Sequence, residues 1–132
     1  MGYMSHNAII VTSWDEDALQ EAHRKALELF ESGESAGARG DSLDLGHRMV
    51  TAPTGMTTNL YRSFLIAPDG SKEGWVTSEH YNEMREAFKA HLREMLLRDK
   101  FTDWVEVQFG NDDNINKIVD AHDMGTQEQE GW

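Results

Sequence analysis

The chain has no cysteine among its 132 residues. Disulfide scaffolds, thiolate zinc sites, iron–sulfur clusters and cysteine nucleophiles are thereby excluded, and a cytoplasmic location is expected. Positive charge is also short: 12 Lys and Arg stand against 24 Asp and Glu, a formal net charge of -12. Such a chain repels nucleic-acid phosphates and anionic membrane surfaces at long range, so neither direct nucleic-acid binding nor a membrane partner is expected. No apolar run approaches the roughly 20 residues of a membrane helix, and the N-terminus carries neither a basic region nor an apolar signal segment. The phosphate loop, the dinucleotide fingerprint and the nucleophile elbow are missing too. Gly33, Gly37 and Gly40 do not follow a strand, as those motifs require. No cofactor is therefore expected.

What is present suits one compact domain, since a typical domain runs to about 150 residues. The hydrophobic share of 39% is ordinary for a globular chain. Ala8-Ile9-Ile10-Val11 is a short apolar run rich in β-branched residues and reads as a strand buried on both faces. Ser13-Trp14-Asp15-Glu16 matches a capping box. Leu19, Ala22, Ala26, Leu27 and Phe30 then recur at helical steps, and the helix is expected to end near Ser32-Gly33. The glycine-rich text from Glu31 to Asn59 reads as a flexible insertion, with a short extra strand allowed on either side of Ala52-Pro53-Thr54-Gly55.

Tyr61 to Ala67 alternates as a strand does, and Pro68-Asp69-Gly70-Ser71 is a turn signal, so Glu73 to Val76 is expected to return as the second arm of a hairpin. Thr77 or Ser78 can cap a second helix, whose Tyr81, Met84, Phe88, Leu92 and Met95 form the clearest periodicity in the chain. The last strand is Trp104 to Gly110, with the core expected under Val105, Val107 and Phe109 and with Trp104, Glu106 and Gln108 facing away. Strand, helix, strand, strand, helix, strand is the order of a ferredoxin-like βαββαβ sandwich: a four-stranded antiparallel sheet, two helices on one face, and residues 31–59 inserted after the first helix. Its domain would span residues 1–110. Residues 111–132 read as a polar tail in which Ile115, Ile118 and Val119 can form at most one docked helical turn.

No pair of the six histidines has the spacing of a metal site on one helix face, so no metal ligand is assigned. Lys72 and Trp75, with Arg62, can hold an anionic or planar ligand by charge and stacking. The plainer reading is a hairpin whose Trp75 packs on the second helix. Trp14, Trp104 and Glu106 are candidate interface residues, because a tryptophan on an open sheet face favours a partner.

The opening Asn7-Ala8-Ile9-Ile10-Val11-Thr12-Ser13, the hairpin text Phe64 to Trp75 and the closing Asp103 to Gly110 resemble small proteins encoded by tailed phages and prophages. That group brings no established activity. The resemblance implies a viral accessory origin and a host cytoplasm setting. The charge then suggests a non-enzymatic, homo-oligomeric acidic module that, through its acidic surface, engages or inhibits a host protein with a basic surface. A second reading is sequestration of a small anionic ligand, such as a nucleotide signal, between protomers by Arg62, Lys72 and Trp75. A third is a metal-dependent hydrolase built on Asp41 and Asp44.

Overall fold

A computed structural model of the chain describes residues 5–32, 49–71, 75–110 and 116–123. The apolar run at the start becomes β1 (His6–Ser13). Ile9, Val11 and Ser13 are buried on the face under the helices, while on the opposite face Ala8 is buried but Ile10 is 39% exposed, so the strand is not fully enclosed on both sides. The chain then turns into α1 (Glu16–Ser32). Asp15 caps it: its Oδ1 accepts the backbone N–H groups of Asp17 and Ala18 at 3.1 and 3.3 Å. The expected box on Ser13 does not form. The Ser13 hydroxyl instead accepts from the Asp15 N–H at 3.0 Å and donates to the Phe101 carbonyl at 2.9 Å. Glu16 accepts from Arg62 Nη1 at 2.7 and 3.0 Å.

β2 (Arg62–Ile66) pairs with β1, and Pro68-Asp69-Gly70-Ser71 follows it with Gly70 in the left-handed region at φ 82°. Glu73 and Gly74 of the expected return arm lie outside the described residues. Val76 is instead the first residue of α2 (Val76–Leu97), with exposed Trp75 at its N-cap and no side-chain cap from Thr77 or Ser78. The physical reason lies on the far edge of β2. The Thr51 N–H donates to the Leu65 carbonyl, the Ala67 N–H to the Met49 carbonyl and the Thr54 N–H to the Ser63 carbonyl, so residues 49–54 occupy the ladder a hairpin arm would need. Met49 and Val50, from the stretch read as a flexible insertion, join the core.

β3 (Asp103–Phe109) pairs antiparallel with β1, and β4 (Lys117–Ala121) closes the sheet from residues read as tail. The result is an α+β fold with a four-stranded antiparallel sheet in the order β2-β1-β3-β4 and two helices. The expected order of elements is corrected at two places: the second helix precedes the last two strands, and Asp103–Phe109, read as the last strand, is followed by another and lies inside the sheet. Both β2 and β3 run antiparallel to β1. They are thus parallel to each other, and α2 is the crossover that passes over β1 between them.

The phase of β3 is also reversed from expectation. In register, Val11 stands opposite Trp104 and Ile9 opposite Glu106, so Trp104 and Glu106 share the helix-facing side with the core. Trp104 is 3% exposed and Phe109 38%. The core assembles Ile9, Val11, Leu19, Ala22, Phe30, Phe64, Ile66, Tyr81, Phe88 and Leu92 with Trp104.

The helices are also joined by charge. Glu21 of α1 accepts from Arg98 Nη2 at 2.6 Å, and it lies 3.0 Å from His91 Nε2 and 2.9 Å from Lys100 Nζ. Arg98 first, then Lys100, hold its carboxyl at about 2, below the ordinary 4.5. A depressed carboxylate contributes stability that is complete above its unfolded pKa and is lost as the pH falls toward the folded one. Unfolding free energy is therefore expected to drop between about pH 4.5 and 2. Because Arg98 and Lys100 are partly in water, the share due to this group is on the order of 1–2 kcal/mol. Urea titrations of wild type and Glu21→Gln across that range test it: the substitution should cost a similar amount at neutral pH and flatten the acid slope. An unchanged slope would remove Glu21 as the cause.

Candidate functional site

On α2, Asn82, Arg85, Glu86 and Lys89 follow one another at helical steps along the flank next to the Tyr81–Phe88 core stripe. That flank lies over β3 and β4, where Glu106 faces the helices and Asp120 is its register partner. Asn7 of β1 and Gln108 of β3 stand opposite each other beside them. Asp69, in the segment after β2, closes the far end. Five segments distant in sequence thus converge on one strongly polar cleft.

The cleft divides into two recesses of about 310 and 270 Å³, which share Asn7, Asn82, Arg85 and Gln108 in their walls. In the first, Lys89 Nζ donates to Glu106 Oε1 at 2.6 Å and to Asp120 Oδ2 at 3.0 Å, and it lies 2.7 Å from Glu86 Oε2. Burial works against the charge on Lys89, but the bonds to Glu106, Glu86 and Asp120 outweigh it and hold the ammonium above its ordinary range. Asp120 is likewise opposed by burial and held low by Arg93 and Lys89. The remaining oxygen of Glu106 accepts from Asn7 Nδ2 at 2.8 Å. This half of the cleft is a satisfied ion cluster.

Arg85 is different. It is 3% exposed, and its Nη2 donates to Asn82 Oδ1 at 2.6 Å. Its Nη1 stands 3.6 Å from Asp69 Oδ1 and its Nε 4.0 Å from Glu106 Oε2. Neither nitrogen has a hydrogen-bond acceptor among the described residues. A buried donor without a partner costs about 1–3 kcal/mol, and more when charged. Arg85 lines both recesses, and these two buried nitrogens are strong donors with no hydrogen-bond acceptor among the described residues.

Of the residues picked from the sequence, Glu106 belongs to this cleft, but as a buried member of an ion cluster and not as an exposed interface residue. Trp104 is buried as well, with the Arg93 guanidinium 4.8 Å from its ring centroid, so it is no surface anchor. Trp14 is exposed at the corner between β1 and α1. Arg62 is tied to Glu16 and donates through Nε to the Thr54 carbonyl at 2.8 Å. It opens β2 and Trp75 follows beyond the other end of that strand, so the two are not brought together. Lys72, Asp41 and Asp44 lie outside the described residues. Among the described residues no group of three His, Asp or Glu is placed to hold a metal ion, and no helix is long and apolar enough to cross a membrane.

Arg85, Lys89, Asn82 and Asn7 were not singled out from the sequence as site residues. A signal existed: a basic pair four apart, flanking an apolar stripe, in a chain whose third strand alternates Trp104, Glu106 and Gln108. Its meaning depended on the strand's phase. No protein-family model, no curated protein and no solved structure matches the chain.

Proposed function

We propose that the protein is a non-enzymatic binding module that holds a small polar ligand in the cleft between α2 and the β1–β3 face. The observation that carries this is that Arg85, which lines both recesses, has two buried nitrogens without an acceptor among the described residues. Binding is favoured over catalysis by the state of Lys89. Its three N–H groups face three carboxylates and its pKa is raised, the reverse of what activates a lysine nucleophile. A basic host partner is motivated by net charge alone, whereas the cleft reading stands on geometry.

Nuclear magnetic resonance with a mixture of small polar metabolites tests it. A binder should move the Arg85 Nε–H signal and the amides of Asn82, Arg85 and Gln108, and at a hundred times its dissociation constant it should add about 2.7 kcal/mol of stability. Binders that perturb only residues away from α2 and β3 would end this reading.

A second reading, self-association, is favoured by the opposite face of the sheet. Ala8, Ile10, Leu65, Val105, Val107, Phe109 and Ile118 share it by register, and the strands place only one charged residue there, Asp103. In a chain of net charge -12, this is where a second copy meets the least repulsion. Ile10→Glu is expected to convert a dimer into a monomer in sedimentation equilibrium without lowering the melting temperature of the fold. A wild type that is monomeric at high protein concentration would dismiss this reading.

A further inference from the structure

We infer that the ligand of the cleft is a small zwitterion, an ammonium carboxylate of free-amino-acid size, seated in the recess of about 270 Å³. The inference rests on the binding reading above and specifies its ligand.

The recess contributes one guanidinium, from Arg85, and two carboxylates, from Asp69 and Glu79. Arg85 requires an acceptor for Nε and Nη1, and an anionic oxygen is the strongest acceptor for a guanidinium. A multiply charged anion such as a phosphate ester satisfies that need but meets Asp69 and Glu79 at close range, where like charges repel by several kcal/mol. A simple amine suits the carboxylates and leaves Nε and Nη1 of Arg85 without a hydrogen-bond acceptor. A molecule carrying one negative and one positive group answers both demands and remains neutral overall.

The other polar atoms agree. Ser5 lines the same recess with a buried hydroxyl that has no partner among the described residues, and the Asn82 and Gln108 amides offer further donors and acceptors. Size points the same way, because the recess falls just below the range of about 300–1,000 Å³ common for drug-sized ligands. With hardly any apolar wall in this half, selectivity rests on the charge pattern and not on a side-chain pocket.

Isothermal titration of the full chain tests this with the free amino acids and γ-aminobutyrate, and with acetate, ethylamine and inorganic phosphate as single-function probes. At least one zwitterion is expected to bind roughly tenfold or more tightly than acetate and ethylamine. Glu79→Gln, at an exposed position, should weaken it by a similar factor with an unchanged melting curve, and Arg85→Lys should do the same. If Arg85→Lys unfolds the chain, Glu79→Gln still decides. Acetate or phosphate binding as tightly as any zwitterion, and depending on Arg85, would overturn the zwitterion while leaving the cleft as an anion site. A zwitterion that binds wild type and both variants equally would overturn the cleft itself. Failure of every zwitterion to bind at millimolar concentration would overturn the present inference.

Discussion

Replacing Lys89 with methionine is expected to lower the unfolding free energy by about 3–5 kcal/mol, measured by urea denaturation at neutral pH. The ammonium is the hub of the ion cluster. Without it Glu106, 4% exposed, is left with Asn7 and with an Arg85 nitrogen 4.0 Å away. A carboxylate in that position must either remain charged in a poor solvent or take up a proton. Asp120 suffers less because Arg93 Nη2 still donates to it at 2.8 Å, and Glu86 is at the surface and needs no partner.

The double variant Lys89→Met with Glu106→Leu should regain most of the loss, since a buried ion pair replaced by apolar residues of similar volume is often neutral or stabilising. The same double variant should alter ligand binding, because it removes an acceptor beside Arg85. A single substitution costing less than about 1 kcal/mol would mean that the cluster is hydrated and the cleft floor is not buried as described.

Trp104→Ala is expected to cost about 3–5 kcal/mol, against about 1 kcal/mol or less for Phe109→Ala. The contrast is a direct reading of strand phase. Trp104 packs in the core beneath the Arg93 guanidinium, whereas Phe109 is on the open face with the His6 ring 5.4 Å away. Hydrophobicity along β3 argues the other way, since Val105, Val107 and Phe109 are the more uniformly apolar set. Equal losses, or a larger loss at Phe109, would show that the open face is covered in solution, and the self-association reading would gain by it.

Much of the local structure was legible in the residues. The periodicity of Leu19, Ala22, Ala26 and Phe30 is the buried face of α1, and that of Tyr81, Phe88, Leu92 and Met95 the buried face of α2. The strand texts at His6–Ser13, Arg62–Ile66 and Asp103–Phe109 all formed strands. The hairpin was a false lead: Pro68-Asp69-Gly70-Ser71 puts Gly70 in the left-handed region but cannot specify which segment takes the vacant edge of β2. Residues 49–54 took it. β4 escaped notice because Lys117–Ala121 has a weak alternation and pairs through a register shift at Glu106/Val107.

The cleft was the least legible feature. Buried charge does not announce itself in a sequence, because Arg85 and Lys89 on a helix look like any solvated pair until a partner strand is laid beneath them. Once the phase of β3 is known, the same residues become the most distinctive in the molecule.

Composition and periodicity by themselves determined the class of this protein: an acidic, cysteine-free α+β chain with two amphipathic helices and strands of known position. Alternation along a strand states that two sets of residues face opposite ways, and nothing within the strand says which set is inside. Only the pairing of Ile9 with Glu106 and Val11 with Trp104 decided that. That pairing turned a carboxylate toward α2, drew Lys89 under cover and left Arg85 with donors to spare, because burial and register belong to the folded chain and not to any one segment of it.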